Sequence, residues 1–88
     1  MATIPYYLTT TANVGDANGG EIDSVVLTPA AAVATAVVRE NGSGGTIILA
    51  LQAAANGGSV QHIFRGLVYS GQLHVTLAGA GVQATVEL

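Results

Sequence analysis

The side chains that acid–base or acyl-transfer chemistry would draw on are few. The 88-residue chain has two histidines, His62 and His74, and its serines are Ser24, Ser43, Ser59 and Ser70. Acid–base catalysis needs a positioned titratable group, and covalent catalysis needs a nucleophile with an activating base beside it. His74 lies between Leu73 and Val75, on the polar side of an alternating run, and His62 lies between Gln61 and Ile63. A histidine pair falls short of the three or four ligands of a zinc site, and no acid-rich loop of the calcium type is present. Both histidines are read as surface or interface residues. None of the serines sits in a nucleophile-elbow context, and turn and strand roles account for them. Gly79-Ala80-Gly81 lacks the third glycine, the following helix and the later acid of a dinucleotide fingerprint, and reads as a hairpin turn. Asn41-Gly42-Ser43 matches a glycosylation sequon and also reads as a turn. The expectation is a protein with no catalytic residues, no cofactor and no metal.

The charged side chains are Asp16, Glu21, Asp23, Arg39, Glu40, Arg65 and Glu87, and they give a net charge of −3. An average soluble domain of this length would carry roughly 22 charges. Two arginines and no lysine cannot neutralise a run of phosphates, so nucleic acid is not an expected partner. An acidic chain is also repelled by anionic lipid headgroups. The absence of cysteine removes disulfides, thiolate chemistry and cysteine-ligated zinc. Arg39-Glu40 reads as a solvated pair worth little. Arg65, next to Gly66, is either an exposed turn charge or an intersubunit contact, a use to which the planar fork of arginine is suited. The aromatic set is Tyr6, Tyr7, Tyr69 and Phe64. Adjacent Tyr6 and Tyr7 must point to opposite sides if extended, one toward a core and one toward a contact. The candidate interface residues are therefore Tyr6, Tyr7, Arg65, Tyr69 and His74. An aromatic platform for carbohydrate is the sharper alternative for the tyrosines.

Short segments punctuated by glycine must position these residues. Asn18-Gly19-Gly20, Asn41-Gly42-Ser43-Gly44-Gly45, Asn56-Gly57-Gly58, Ser70-Gly71 and Gly79-Ala80-Gly81 are turn signals. The segments between them are mostly about six to ten residues long, the spacing of a β-sandwich or barrel. Apolar and polar residues alternate over 73–77 and 82–88. These two runs are expected to pair as a hairpin across residues 78–81. Strands are also expected over 22–27, 46–51 and 59–64, with an N-terminal strand over 4–11. Residues 29–38 are ambiguous, because alanine favours helix while Val33, Thr35, Val37 and Val38 favour strand. We read 33–40 as strand and 29–32 as its connection.

A chain of this size forms one domain that exposes roughly 4,700 Å² when folded and buries roughly 60% of its unfolded surface. With no staples, it is a candidate for stabilisation by oligomerisation. The N-terminus has no basic residue ahead of an apolar run and does not read as a signal peptide. The longest apolar stretch, residues 25–38, is shorter than the roughly 20 residues of a spanning helix. The expected fold is all-β: a small antiparallel sandwich, jelly-roll-like or Ig-like, of about six to eight strands. Residues 1–19 form an N-terminal strand or arm and residues 20–88 the sandwich.

Read whole, residues 20–88 resemble the small β-sandwich structural proteins of tailed-bacteriophage virions. The resemblance rests on Glu21-Ile22-Asp23-Ser24-Val25-Val26-Leu27-Thr28-Pro29, Val37-Val38-Arg39-Glu40-Asn41-Gly42 and Gly45-Thr46-Ile47-Ile48-Leu49-Ala50-Leu51. It continues through Phe64-Arg65-Gly66-Leu67-Val68-Tyr69 and Gly71-Gln72-Leu73-His74-Val75-Thr76-Leu77-Ala78-Gly79-Ala80-Gly81. It implies a decoration or cement protein at the capsid surface, assembled in the host cytoplasm, that self-associates, as a trimer, and bridges major capsid protein subunits. It equally accommodates a tail, baseplate or fibre position. It carries no catalytic residue onto this chain.

Overall fold

The structure, a computed structural model, describes residues 5–88. Among them are strands β1 (Pro5–Leu8), β2 (Ala12–Val14), β3 (Gly20–Thr28), β4 (Ala34–Arg39), β5 (Ile47–Ala53), β6 (Val60–Tyr69), β7 (Leu73–Ala78) and β8 (Gln83–Glu87), and no helix. They form two four-stranded antiparallel sheets, one in the order β1-β8-β3-β6 and the other β2-β7-β4-β5. The expected all-β sandwich is what the chain adopts.

Period-two alternation drives the packing. In β4, Ala34, Ala36 and Val38 are buried while Thr35, Val37 and Arg39 face outward. In β7, Leu73 and Val75 are buried and alternate with His74 and Thr76. In β8, Ala84 and Val86 are buried between Gln83, Thr85 and Glu87. The inner residues of β8 lie beside Val25 and Leu27 of β3 in the same sheet, those of β4 and β7 belong to the facing sheet, and Val25, Leu27, Val75 and Val86 are all fully enclosed. One end of the core is built from Ile22, Val38, Leu73 and Tyr69, the other from Leu27, Ala34, Ala36, Ala53 and Ala84.

Residues 29–32 connect β3 to β4, and the ambiguous segment is strand from Ala34. β-Branched side chains and the alternating burial of β4 outweigh the helix propensity of its alanines.

Three expectations are corrected. The runs 73–77 and 82–88 do not form a hairpin. β7 pairs with β2 and β4, whereas β8 lies in the other sheet between β1 and β3. The chain crosses between sheets at residues 78–81, where the Val82 N–H donates to the Gly79 carbonyl at 3.2 Å. Alternation says only that one face is buried, and two strands facing each other across a core satisfy it as well as two side by side.

The N-terminal strand expected over 4–11 is divided, and Ile4 lies outside the described residues. β1 ends at Leu8, the chain bends at Thr9 and Thr10, and β2 joins the opposite sheet. Thr11 secures the crossing, its hydroxyl oxygen accepting the Leu77 N–H at 3.0 Å.

The strand expected over 59–64 runs on without a turn to Tyr69. Its middle is a bulge. Ile22 pairs with Leu67 and Ser24 with Ile63, so one residue of β3 spans three of β6. Arg65 and Gly66 absorb the excess in the left-handed region, with φ of 60° and 87°. The bulge reverses which parity of β6 faces inward.

Candidate functional site

The five candidate interface residues do not share one surface. Tyr7 is on the outer face of the first sheet, opposite Thr85, and is 61% exposed. Its neighbour Tyr6 points inward and packs against the core, the division expected of adjacent residues in a strand. Tyr69 ends β6 and is buried. Arg65 is exposed at the β6 bulge. His74 is half-buried on the outer face of the second sheet, where its Nδ1 meets the Asn13 Oδ1 at 2.7 Å. The Arg39 Nη1 donates to the Thr76 hydroxyl at 3.5 Å beside it.

Tyr6 and Tyr69 do come together. They line a cleft of ≈ 380 Å³ at one end of the sandwich with Gly15, Asp16, Gly19, Gly20, Glu21 and Leu88. The backbone is held close around the Tyr69 ring. A Cβ on Gly15 would overlap the phenol oxygen, and one on Gly20 would lie 3.1 Å from it. Burial pushes the Tyr69 phenol above its ordinary pKa, a backbone hydrogen bond with Asp16 opposes this, and the nearby Tyr6 and Asp16 add to the rise. Asp16 is itself engaged in the loop, its Oδ1 accepting the Asn18 N–H at 2.8 Å. The enclosure of Tyr69 makes it a structural anchor and removes its ring face from any stacking surface.

The remaining polar contacts fasten loops. The Ser70 N–H donates to the Glu40 carboxylate at 2.9 Å, and the Thr28 and Ser59 hydroxyls meet at 2.8 Å. Histidine and serine are not joined in these contacts: His74 engages Asn13, and the His62 ring packs edge-on against Phe64 with centroids 4.6 Å apart. The two histidines lie in different sheets. Among the described residues no three His, Asp or Glu side chains gather where they could hold a metal ion.

Sequence reasoning missed the apolar edge. β6 is the outermost strand of its sheet and leaves Ile63 59%, Leu67 39% and Val68 70% exposed. The signal was present in Ile63-Phe64-Arg65-Gly66-Leu67-Val68, where apolar residues lose their alternating phase on either side of Arg65-Gly66. Elsewhere the surface is neutral: 4689 Å² shared among seven charges is about 670 Å² each. Comparison with protein-family models, curated proteins and solved structures finds no match.

Proposed function

We propose that the protein is a structural component of a phage virion, a decoration or cement protein that self-associates and bridges neighbouring capsid subunits. The observation that carries this reading is the exterior: a neutral sandwich surface with large apolar side chains left in water along β6 and at Tyr7. A surface of sparse charge sheds little hydration when another protein covers it. Exposed apolar groups collected on one strand are a usual mark of a contact. The resemblance of residues 20–88 to virion β-sandwiches supplies the setting. A copy bound across capsid subunits stabilises the assembled shell by mass action.

The three tyrosines do not support the carbohydrate alternative. Tyr7 faces outward on the sheet while Tyr6 and Tyr69 line the end cleft, so the three do not form one flat stacking platform.

Capsids made with and without the protein are to be compared under heating and low salt. Capsids carrying it should rupture at higher temperature. Equal rupture, or absence of the protein from purified particles, would overturn the capsid role. Its location by electron microscopy on a tail or baseplate would move the proposal to that position.

A further inference from the structure

We infer that Asn56 is a site of spontaneous covalent modification, where the folded chain converts asparagine to aspartate and isoaspartate ahead of its other asparagine–glycine pairs. The reaction is independent of the virion role. The Gly57 backbone nitrogen, having lost its proton, attacks the Asn56 Cγ. An N–Cγ bond forms, the Cγ–Nδ2 bond breaks, and Nδ2 leaves as ammonia, taking up the proton given off. Water then opens the five-membered imide at one carbonyl or the other, giving aspartate or isoaspartate. Nothing is oxidised or reduced, and water is the only co-reactant. A following glycine favours the attack because it sets no Cβ beside the nitrogen.

The chain has three such pairs, Asn18-Gly19, Asn41-Gly42 and Asn56-Gly57. In each the attacking N–H donates to a carbonyl, and the pairs differ in what must open to release it. The Gly19 N–H donates to the Asp16 carbonyl at 3.1 Å, in the loop closed around buried Tyr69. The Asp16 carboxylate accepts the Asn18 N–H at 2.8 Å, and its charge opposes a negative nitrogen one residue on. The Gly42 N–H donates to the Gln72 carbonyl at 2.9 Å, and the Asn41 N–H donates to the Ser70 carbonyl at 2.9 Å. Both bonds reach a segment remote in sequence. The Asn41 side chain is wedged as well, since a Cβ on Gly71 would overlap its Oδ1.

Asn56-Gly57 has none of these restraints. The Gly57 N–H donates to the Ala54 carbonyl at 2.9 Å, three residues back in a single turn. Residues 54–59 are all exposed. No hydrogen bond holds the Asn56 side chain among the described residues. The Asn56 N–H donates to the Ala30 carbonyl at 2.7 Å, which anchors the loop but leaves the attacking group alone. Opening one exposed turn takes less free energy than parting two bonds to a packed neighbour. The product replaces a neutral amide with a carboxylate in a chain whose net charge is −3. Isoaspartate also lengthens the backbone by one methylene in the connection between β5 and β6.

Purified protein is to be incubated at mildly alkaline pH, digested, and mapped by mass spectrometry for the exchange of amide for carboxylate and for isoaspartate. In the folded protein Asn56 should convert at least about tenfold faster than Asn18 or Asn41. In denaturant, where only the shared dipeptide remains, the three rates should lie within about twofold of one another. Asn56→Gly, which accepts the left-handed φ of 57° without strain, should remove the early ammonia release and leave the other two rates unchanged. Asn18 or Asn41 keeping pace with Asn56 in the folded protein would overturn the inference. So would an Asn56 that converts only when unfolded, or the same tenfold ranking in denaturant, which would trace the preference to flanking sequence and not to the fold. These readings need no capsid, so their failure is distinct from failure of the virion role.

Discussion

Gly15 and Tyr69 should be energetically coupled, and the coupling can be measured. Gly15 has φ of +83°, and a Cβ there would overlap the Tyr69 phenol oxygen and come within 2.9 Å of the Leu88 Cδ1. The Leu88 Cδ1 is the far end of a flexible side chain and can give way. Tyr69 cannot, because Gly19 and Gly20 hold the other sides of its residue, with a Gly19 Cβ falling 2.5 Å from its carbonyl. Gly15→Ala then incurs about 1–2 kcal/mol for a left-handed alanine, plus about 1–3 kcal/mol for forcing Tyr69 out of place. Tyr69→Phe alone loses the phenol's hydrogen bond, about 1 kcal/mol. In the double variant the overlapping oxygen is gone, so the steric part of the first change disappears. The pair should therefore be less destabilised than the two single effects combined, by about 1–3 kcal/mol. In a domain of this size each kcal/mol moves the melting temperature by roughly 4–8 °C, so a thermal-unfolding cycle resolves it. Strict additivity would refute the claim that the loop packs against the phenol.

Three further outcomes are expected. Leu27→Ala, at a fully enclosed position, should cost about 2–5 kcal/mol. That is a large share of the roughly 4–13 kcal/mol available to 88 residues, and denaturant titration reads it directly. The raised pKa of Tyr69 makes stability depend on alkaline pH: a proton held more tightly in the fold stabilises fully below the ordinary value of 10.0 and is lost as pH rises through the folded value. Unfolding midpoints should fall above about pH 10, and Tyr69→Phe should flatten that fall; an unchanged alkaline limb would count against burial as its cause. Asn13→Ala removes an exposed partner of His74 and should change stability by no more than about 1 kcal/mol, measurable by the same titration.

Much of the fold was legible in the sequence because the physics is local. The alternation of 73–77 and 82–88 names the buried residues whichever sheet each strand joins, and the β-branched residues of 33–38 decide strand over helix. What local pattern lacks is pairing. Gly79-Ala80-Gly81 can close a hairpin or carry the chain from one sheet to the other, and only the facing core separates the two. The break at Thr9 and Thr10 was illegible for the same reason: the residues on both sides suit extended backbone. Of the candidate site, the opposite orientations of Tyr6 and Tyr7 followed from geometry alone. The burial of Tyr69 did not, since it depends on three glycines more than 45 residues earlier in the chain. Arg65 shows the limit from the other side. Its proximity to Gly66 suggested a turn, and the same left-handed pair serves as a bulge within a continuous strand.

The position of β8 has a consequence for biosynthesis. β8, made long after its neighbours, is a middle strand of its sheet, inserted between β1 and β3. Until residues 83–87 emerge, β1 has no neighbour to bond and β3 is open along one side. Non-local closure of this sort is slow and leaves nascent apolar edges uncovered. The first sheet can close only once β8 has been made, and a chain lacking β8 would leave two raw edges in place of a finished sandwich.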